Sequence, residues 1–190
     1  ISEKEVEVSE EKGKDETTNW KTYRNKEYGL EIKYPDSWHV YPGTITGSLV
    51  EISTFSKKEY DKYYGTFDHK KLGRNYGVIH LVYAEGGTVE DYVENIERFI
   101  QALGRGPVSK IDKSVTEEIS INGAEGYKIY FSGRGYFLDE NFVATTYFLV
   151  DKDSGGILKF EGIFAGEERE IYEKYAEDFN GMISTFRFLE

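Results

Sequence analysis

The residues of this chain that could do chemistry are scattered, and they match no motif of a known reaction. The three histidines, His39, His69 and His80, have no HExxH or other paired ligand spacing. No GxSxG elbow is present, and the glycine pairs at 104–106 and 133–135 lack the Lys-Ser/Thr of a phosphate loop. The absence of cysteine excludes thiol nucleophiles, disulfides and thiolate metal sites within this sequence. The sequence therefore predicts no catalytic residue and no cofactor.

Two acidic segments come nearest to a metal site. Residues 151–154 resemble the start of a calcium loop. However, glycine (Gly155) occupies the next position at which such a loop has an acidic ligand, and Gly162 occupies the twelfth position, so the bidentate glutamate is missing. Residues 139–141 could form a weak cation site with Asp151 if the two loops meet in space. We expect polar turns at both places and no metal site, with a cation-binding accessory protein as one alternative.

An aromatic and basic segment is the best candidate contact surface. Residues 56–77 are rich in Tyr and Lys, although the whole chain has a net charge of −11. Tyrosine rings supply rigid, amphipathic contact area at low entropic cost. The predicted contact residues are Tyr60, Tyr63, Tyr64 and Phe67, with Tyr136 and Phe137 in a second loop. The alternative is that these rings cover the edge of a sheet.

Composition narrows the class of protein. A chain of 190 residues with 38% hydrophobic residues can form one domain with a real core. Its net charge of −11 argues against binding a nucleic-acid backbone or an anionic membrane surface. No apolar run approaches the length of a transmembrane helix. Enrichment in Glu and Lys is typical of hyperthermophile proteins, although a plain acidic surface explains it equally well.

The N-terminal segment differs in composition from the rest of the chain. Residues 1–18 are mostly Glu and Lys and have too little apolar surface to form a core, so they predict a flexible charged tether. Residues 19–190 then form a single globular domain. The chain begins with Ile1, not Met, which suggests a mature or trimmed form. Such a tether often separates a domain from a membrane anchor, and the alternative is a frayed terminus.

Local patterns predict the elements that must position these residues. Alternation of apolar and polar residues in 28–34, followed by Pro35 and Trp38, predicts a half-buried strand, a stop and a return to the core. Spacing of three and four residues predicts a helix over 88–103, capped by Thr88, and another over 167–186. Further strands are expected at 49–55, 78–84, 115–121, 127–131, 142–150 and 157–164. Hairpin connections, including the Asn122-Gly123 turn, favour an α+β fold with a largely antiparallel sheet.

Three segments of the chain resemble a known family. They are YGLEIKYPDSW (28–38), ISINGAEGYKIYF (119–131) and MISTFRFL (182–189). In this order and spacing they resemble PsbP-like proteins, whose namesake is an extrinsic subunit of photosystem II. The resemblance runs from Asn25 to the C-terminus and is weakest at 56–77. It implies an α/β/α sandwich, and it implies relatives that are often lipid-anchored or secreted and serve as binding or assembly modules.

These observations together predict a function of the binding class. We expect a non-catalytic module on the outer face of the cell membrane, anchored by a segment upstream of Ile1. Its expected partner is a protein or a small ligand, and not a nucleic acid. The alternatives are a hydrolase-like enzyme with a carboxylate site that matches no motif, and the cation-binding protein named above.

Overall fold

The described part of the chain consists of two antiparallel sheets and three α-helices. The computed structural model describes residues 16–43, 48–66, 75–84, 87–105, 110–134, 141–152, 154–166 and 168–189. The strands are β1 (Lys21–Asn25), β2 (Leu30–Tyr34), β3 (His39–Pro42), β4 (Ser48–Ser53), β5 (Tyr76–Ala84), β6 (Lys110–Ile121), β7 (Ala124–Arg134), β8 (Asn141–Val150), β9 (Ile157–Gly166) and β10 (Arg187–Phe188). The helices are α1 (Lys57–Thr66), α2 (Val89–Arg105) and α3 (Arg169–Ser184), preceded by a 3-10 turn at Glu16–Asn19.

The main sheet has seven strands in the order β3-β4-β5-β9-β8-β7-β6, and every neighbouring pair is antiparallel. Helix α2 packs on one face, over β6, β7 and β8. Helix α3 packs on the other face, together with a three-stranded sheet of order β1-β2-β10. The predicted α/β/α sandwich with an antiparallel sheet is therefore confirmed. Among the helices described, none has the length and apolar character that crossing a bilayer requires.

The strand predicted at 28–34 forms the centre of the small sheet. Leu30 and Ile32 are buried, and Trp38 is buried with its indole N–H donating to Asp178 Oδ2 at 3.2 Å. Alternation predicts Glu31 on the solvent face, and its side chain does lie on that face, beside Arg24 and Arg187, which are both more than half exposed. The Glu31 side chain is itself buried between these two arginines, because their strands, β1 and β10, flank β2 on both sides.

The predicted capping box at the start of α2 is confirmed. The Thr88 backbone N–H donates to Asp91 Oδ2 at 3.1 Å, and the Asp91 N–H donates to Thr88 Oγ1 at 3.2 Å. Val89 and Ile100 are buried as the spacing predicts. Phe99, assigned to the same buried stripe, is instead 41% exposed. It lies at the flank of the apolar sector of the helix.

The three family-like segments meet at one end of the small sheet. Asn122 and Gly123 have φ of 48° and 86°, as a two-residue hairpin turn requires. The Asn122 side chain donates from Nδ2 to the Phe186 carbonyl at 2.6 Å. The Leu189 N–H donates to the Gly29 carbonyl, also at 2.6 Å. Residues that lie far apart in sequence thus form one structural cluster.

Candidate functional site

The predicted tyrosine cluster begins with a buried residue. Tyr60 is only 7% exposed, and its ring stacks on Tyr41 with the centroids 3.7 Å apart. Tyr41 belongs to β3, so Tyr60 anchors α1 to this edge of the main sheet. Burial leaves little of the Tyr60 ring available to a partner. Tyr63 and Tyr64 belong to the same helix, but their side chains are outside the described part, as are Phe67, Tyr136 and Phe137 entirely. Their contact role therefore stays a prediction.

A polar row crosses the centre of the main sheet on the side of α2. Glu51 on β4, His80 on β5 and Glu161 on β9 lie directly opposite one another in register. Glu51 is fully buried, and its Oε2 lies 3.7 Å from His80 Nδ1. Lys159 contacts Glu161 with Nζ and Oε2 2.9 Å apart. This row therefore brings a mostly buried histidine between two carboxylates, of which Glu51 is buried and Glu161 is partly exposed.

The electrostatics of this row favour a neutral histidine. Burial lowers the pKa of His80, Glu161 opposes this effect, and Lys159 adds to it. A neutral imidazole can take up a proton, but the row does not form an ion-binding site. Within the part of the chain that the structure describes, no group of three His, Asp or Glu side chains is arranged to hold a metal ion. The local sequence pattern does not reveal Glu51, because alternation assigns it to a solvent-facing side.

Acidification should destabilise the protein through His80. The unfolded chain binds a proton near the ordinary pKa of 6.5, whereas the folded chain binds it only at lower pH. Between these pKa values the unfolded state holds more protons, so the free energy of unfolding falls as pH decreases. We expect His80→Gln to lose this part of the pH dependence between pH 7.5 and 5.5, measured by urea denaturation.

The exposed histidine on β3 provides the matched control for this measurement. His39 is solvent-exposed, so His39→Gln should retain the pH dependence of the unsubstituted protein. Glu51, Glu161 and Lys159 remain in place in both variants. If the His80 and His39 variants lose stability equally on acidification, the assignment to His80 is wrong.

A groove lies between α2 and the last strand of the main sheet. It has a volume of about 320 Å³. Its lining residues are Glu97, Ile100, Gln101, Ser114, Val115 and Thr116. The Thr116 hydroxyl donates to Glu97 Oε1 at 2.7 Å and closes one side of the groove. The groove is thus bounded by a helix on one side and by β6 on the other.

Strand β6 forms an edge of the main sheet. It has 12 residues, most of them exposed, and it contains neither Pro nor Gly. In the described part of the chain it pairs with β7 alone. The opposite edge, β3, has only four residues and ends at Pro42. Proteins usually shorten or interrupt an exposed edge, because its free N–H and C=O groups can pair with another strand. The β3 edge is protected in this way. The β6 edge is interrupted near its start, by a register shift between Ile111 and Lys113, and its regular part runs from Lys113 to Ile121.

The exposed edge of β6 is a further candidate contact surface, and sequence patterns do not predict it. Sequence analysis predicts a strand at 115–121, and the structure extends it to Lys110. Nothing in its residues indicates which strand is outermost, since strand order depends on distant pairings. One signal was available, namely the nearly complete lack of apolar residues between Lys110 and Glu118. Ile111 and Val115 are the exceptions, and the Val115 side chain is 40% exposed.

Comparisons with known proteins match the fold described above. No family model and no curated protein matches this sequence. The solution structure of cyanobacterial PsbP (CyanoP) from Synechocystis sp. PCC 6803 aligns with a TM-score of 0.54 and 14% identity, over 89% of this chain and 92% of that chain. LpqN, described as involved in cell envelope biogenesis of Mycobacterium tuberculosis, aligns with a TM-score of 0.52 and 11% identity, over 85% and 83%. This chain has the PsbP-like fold that its three sequence segments predict.

Proposed function

We propose that this protein is a non-catalytic binding or assembly module that is held on the outer face of the cell membrane. The charged residues 1–18 support a tether, and an anchor would precede them. The PsbP-like fold is compatible with a scaffold that carries contact surfaces on its edges and loops.

The free edge of β6 is the observation that carries this proposal. An extended segment of a partner can add to such an edge through main-chain hydrogen bonds, while side-chain pockets beside the edge provide specificity. The groove between α2 and β6 supplies such a pocket. A long exposed strand next to a helix-lined groove therefore supports capture of a partner by strand addition.

The tyrosine cluster is the second proposed contact surface. Tyr63, Tyr64 and Phe67 follow the anchoring residue Tyr60, and Tyr136 and Phe137 are proposed for the second loop. Four exposed charged residues on α1 suit a polar rim around an aromatic contact. They are Lys57, Lys58, Asp61 and Lys62.

The burial of Glu51 supports a non-catalytic function. A hydrolase built on carboxylates would need two acidic groups that a substrate can reach. Glu51 and Glu161 flank His80, but Glu51 has no exposed surface. We therefore propose that the row contributes to the structure and not to a reaction.

The binding surface can be tested with random 12-residue peptides displayed on phage and selected against the full chain. Hydrogen exchange should then show new protection on β6 when a selected peptide is bound. The variant Thr116→Pro removes one N–H from the edge, at a position where proline is tolerated, and should abolish binding. The matched control, Tyr63→Ser with Tyr64→Ser, should leave binding intact.

Two outcomes would contradict the proposal for β6. Peptides whose binding is lost only in the tyrosine variant would assign the contact surface to α1. Failure to select any binder above background would overturn strand addition as the function.

A further inference from the structure

The residues of strand β6 are complementary to those of a second β6 strand that runs antiparallel to it, and this indicates which partner could bind at the edge. We infer that the strand added at this edge is β6 of a second copy of the chain. This inference rests on the proposed function, which is strand addition at β6. The two strands run antiparallel about a two-fold axis at Val115. The product is a symmetric dimer whose two main sheets form one continuous sheet.

The hydrogen-bonding register of β6 follows from its hairpin. In a two-residue hairpin, the residues that flank the turn exchange hydrogen bonds, so Ile121 and Ala124 form a bonded pair. Alternation along the ladder then directs the N–H and C=O groups of odd-numbered residues from 113 to 121 toward β7. The groups of Ser114, Thr116 and Glu118 are directed outward. These even-numbered residues are the ones available to a second strand.

An axis at Val115 satisfies this register. It pairs Ser114 of one copy with Thr116 of the other, twice, so outward-directed groups meet outward-directed groups. The odd-numbered residues then form the pairs without hydrogen bonds, in which Cα atoms lie about 4.5 Å apart and side chains are closest. A shift of the register by one residue would pair outward groups with inward ones and lose the ladder.

The side chains at these close positions are complementary in charge and in polarity. Val115, 40% exposed in the single chain, packs against Val115 of the partner. Lys113 lies opposite Glu117 of the partner, and the same pair recurs on the other side of the axis. Within one copy, Lys113 lies over the Tyr130 ring at 5.4 Å and Glu117 is 3.2 Å from Lys128. Both side chains therefore already lie on the same face of the sheet.

Other registers that keep the hydrogen bonds lose these contacts. Moving the axis to Ser114 places Lys113 opposite Val115, and moving it to Thr116 places Lys113 opposite Ile119. Either shift removes both ion pairs and sets a charge against an apolar side chain. The axis at Val115 also places Asp112 opposite Glu118 of the partner, where like charges repel, but Asp112 lies at the register shift and outside the regular ladder. Within the regular part of β6, from Lys113 to Ile121, the axis at Val115 is the register that forms both ion pairs.

Long-range charge opposes this dimer, since each copy has a net charge of −11. At physiological ionic strength the screening length is about 8 Å, which weakens repulsion between distant charges more than attraction between the close pairs at the interface. The regular part of the edge is also long, since the residues from Lys113 to Ile121 extend about 30 Å. Dimerisation should therefore be measured near 0.15 M salt and not in dilute buffer.

The inference can be tested by reversing the charge of Lys113 or of Glu117 and measuring dimerisation of the full chain by analytical ultracentrifugation. The unsubstituted protein should dimerise. Lys113→Glu or Glu117→Lys alone should weaken the dimer by about 10-fold or more, because each places like charges together twice. An equimolar mixture of the two variants should form a heterodimer, since every pair across the axis then joins a carboxylate to an ammonium. The double variant should dimerise again by the same reasoning.

The control is Lys174→Glu, which makes the same charge change on the exposed side of α3 and should not affect dimerisation. A chain that stays monomeric up to millimolar concentration would overturn the inference, as would a mixture of the two variants that stays monomeric. In that case peptides selected at β6 would still bind, and the proposed function would stand. Dimers in all variants would assign the interface to another surface and overturn the inference as well.

Discussion

Replacing Phe179 by alanine is expected to lower the free energy of unfolding by about 3–5 kcal/mol. Phe179 has no exposed surface and connects α3 to the centre of the main sheet. Its ring centroid lies 5.4 Å from that of Tyr147 and 5.6 Å from that of Phe164. A side chain at Gly162 would lie 2.7 Å from the Phe179 ring, so the glycine makes room for it. Truncation would leave a cavity among rigid rings that cannot close around it.

Urea denaturation at neutral pH measures this loss as a lower midpoint with an unchanged slope. Glu177→Ala provides the matched control, because Glu177 lies on the exposed side of the same helix. Its stability should change by no more than about 0.5 kcal/mol. A loss below about 1 kcal/mol for Phe179→Ala would be incompatible with the described packing of α3 on the sheet.

Replacing Gly126 by alanine is expected to lower the free energy of unfolding by about 3 kcal/mol, even though alanine usually stabilises a strand relative to glycine. A Cβ at this position would overlap the Phe148 carbonyl oxygen and lie 2.8 Å from the Phe148 carbonyl carbon. These atoms are backbone of β8, a central strand that cannot move aside without breaking its pairing with β9. The added methyl group therefore forces β7 away from β8.

Thermal unfolding should show this effect as a melting temperature lowered by roughly 6–12 °C. The control is Glu125→Ala, one residue earlier on the same strand, where the side chain is exposed. Its melting temperature should change little. Equal stability of the two variants would show that β7 can adjust at Gly126 and would contradict this close approach.

Most secondary structure could be predicted from the sequence, because the signals that specify it are local. The Thr88–Asp91 capping box, the Asn122-Gly123 turn and the stripe of α3 each depend on residues a few positions apart. The capping box and the turn agree with the pattern, and the α3 stripe agrees at Phe179, Met182 and Ile183, but Tyr172 is buried there and not Ile171. Among the described side chains of the α2 stripe, the pattern fails at Phe99, where the periodicity does not indicate how far the sheet extends beneath the helix.

The candidate contact surfaces could be predicted only in part. Tyrosine content drew attention to residues 56–77, but composition does not distinguish an anchor from a contact residue. Tyr60 is such an anchor, because β3 places Tyr41 directly beneath it. The sequence did not predict that β6 lies at the edge of the sheet, because the residues of a strand do not indicate whether it pairs with one neighbouring strand or with two.

The sequence by itself determined most of the elements, their order and their antiparallel connections, since period, caps and turn residues act over a few positions. The short strands β1, β3 and β10 were not predicted. Only the tertiary structure decided which strand faces are covered on both sides and which edge is open. Glu51 occupies a position that alternation assigns to solvent, yet it is fully buried, because partners distant in sequence surround it. The order of strands in space is set by pairings between distant segments. The tertiary structure therefore also decided that β6, which carries Lys113 and Glu117, lies at an edge of the main sheet where another chain can reach it.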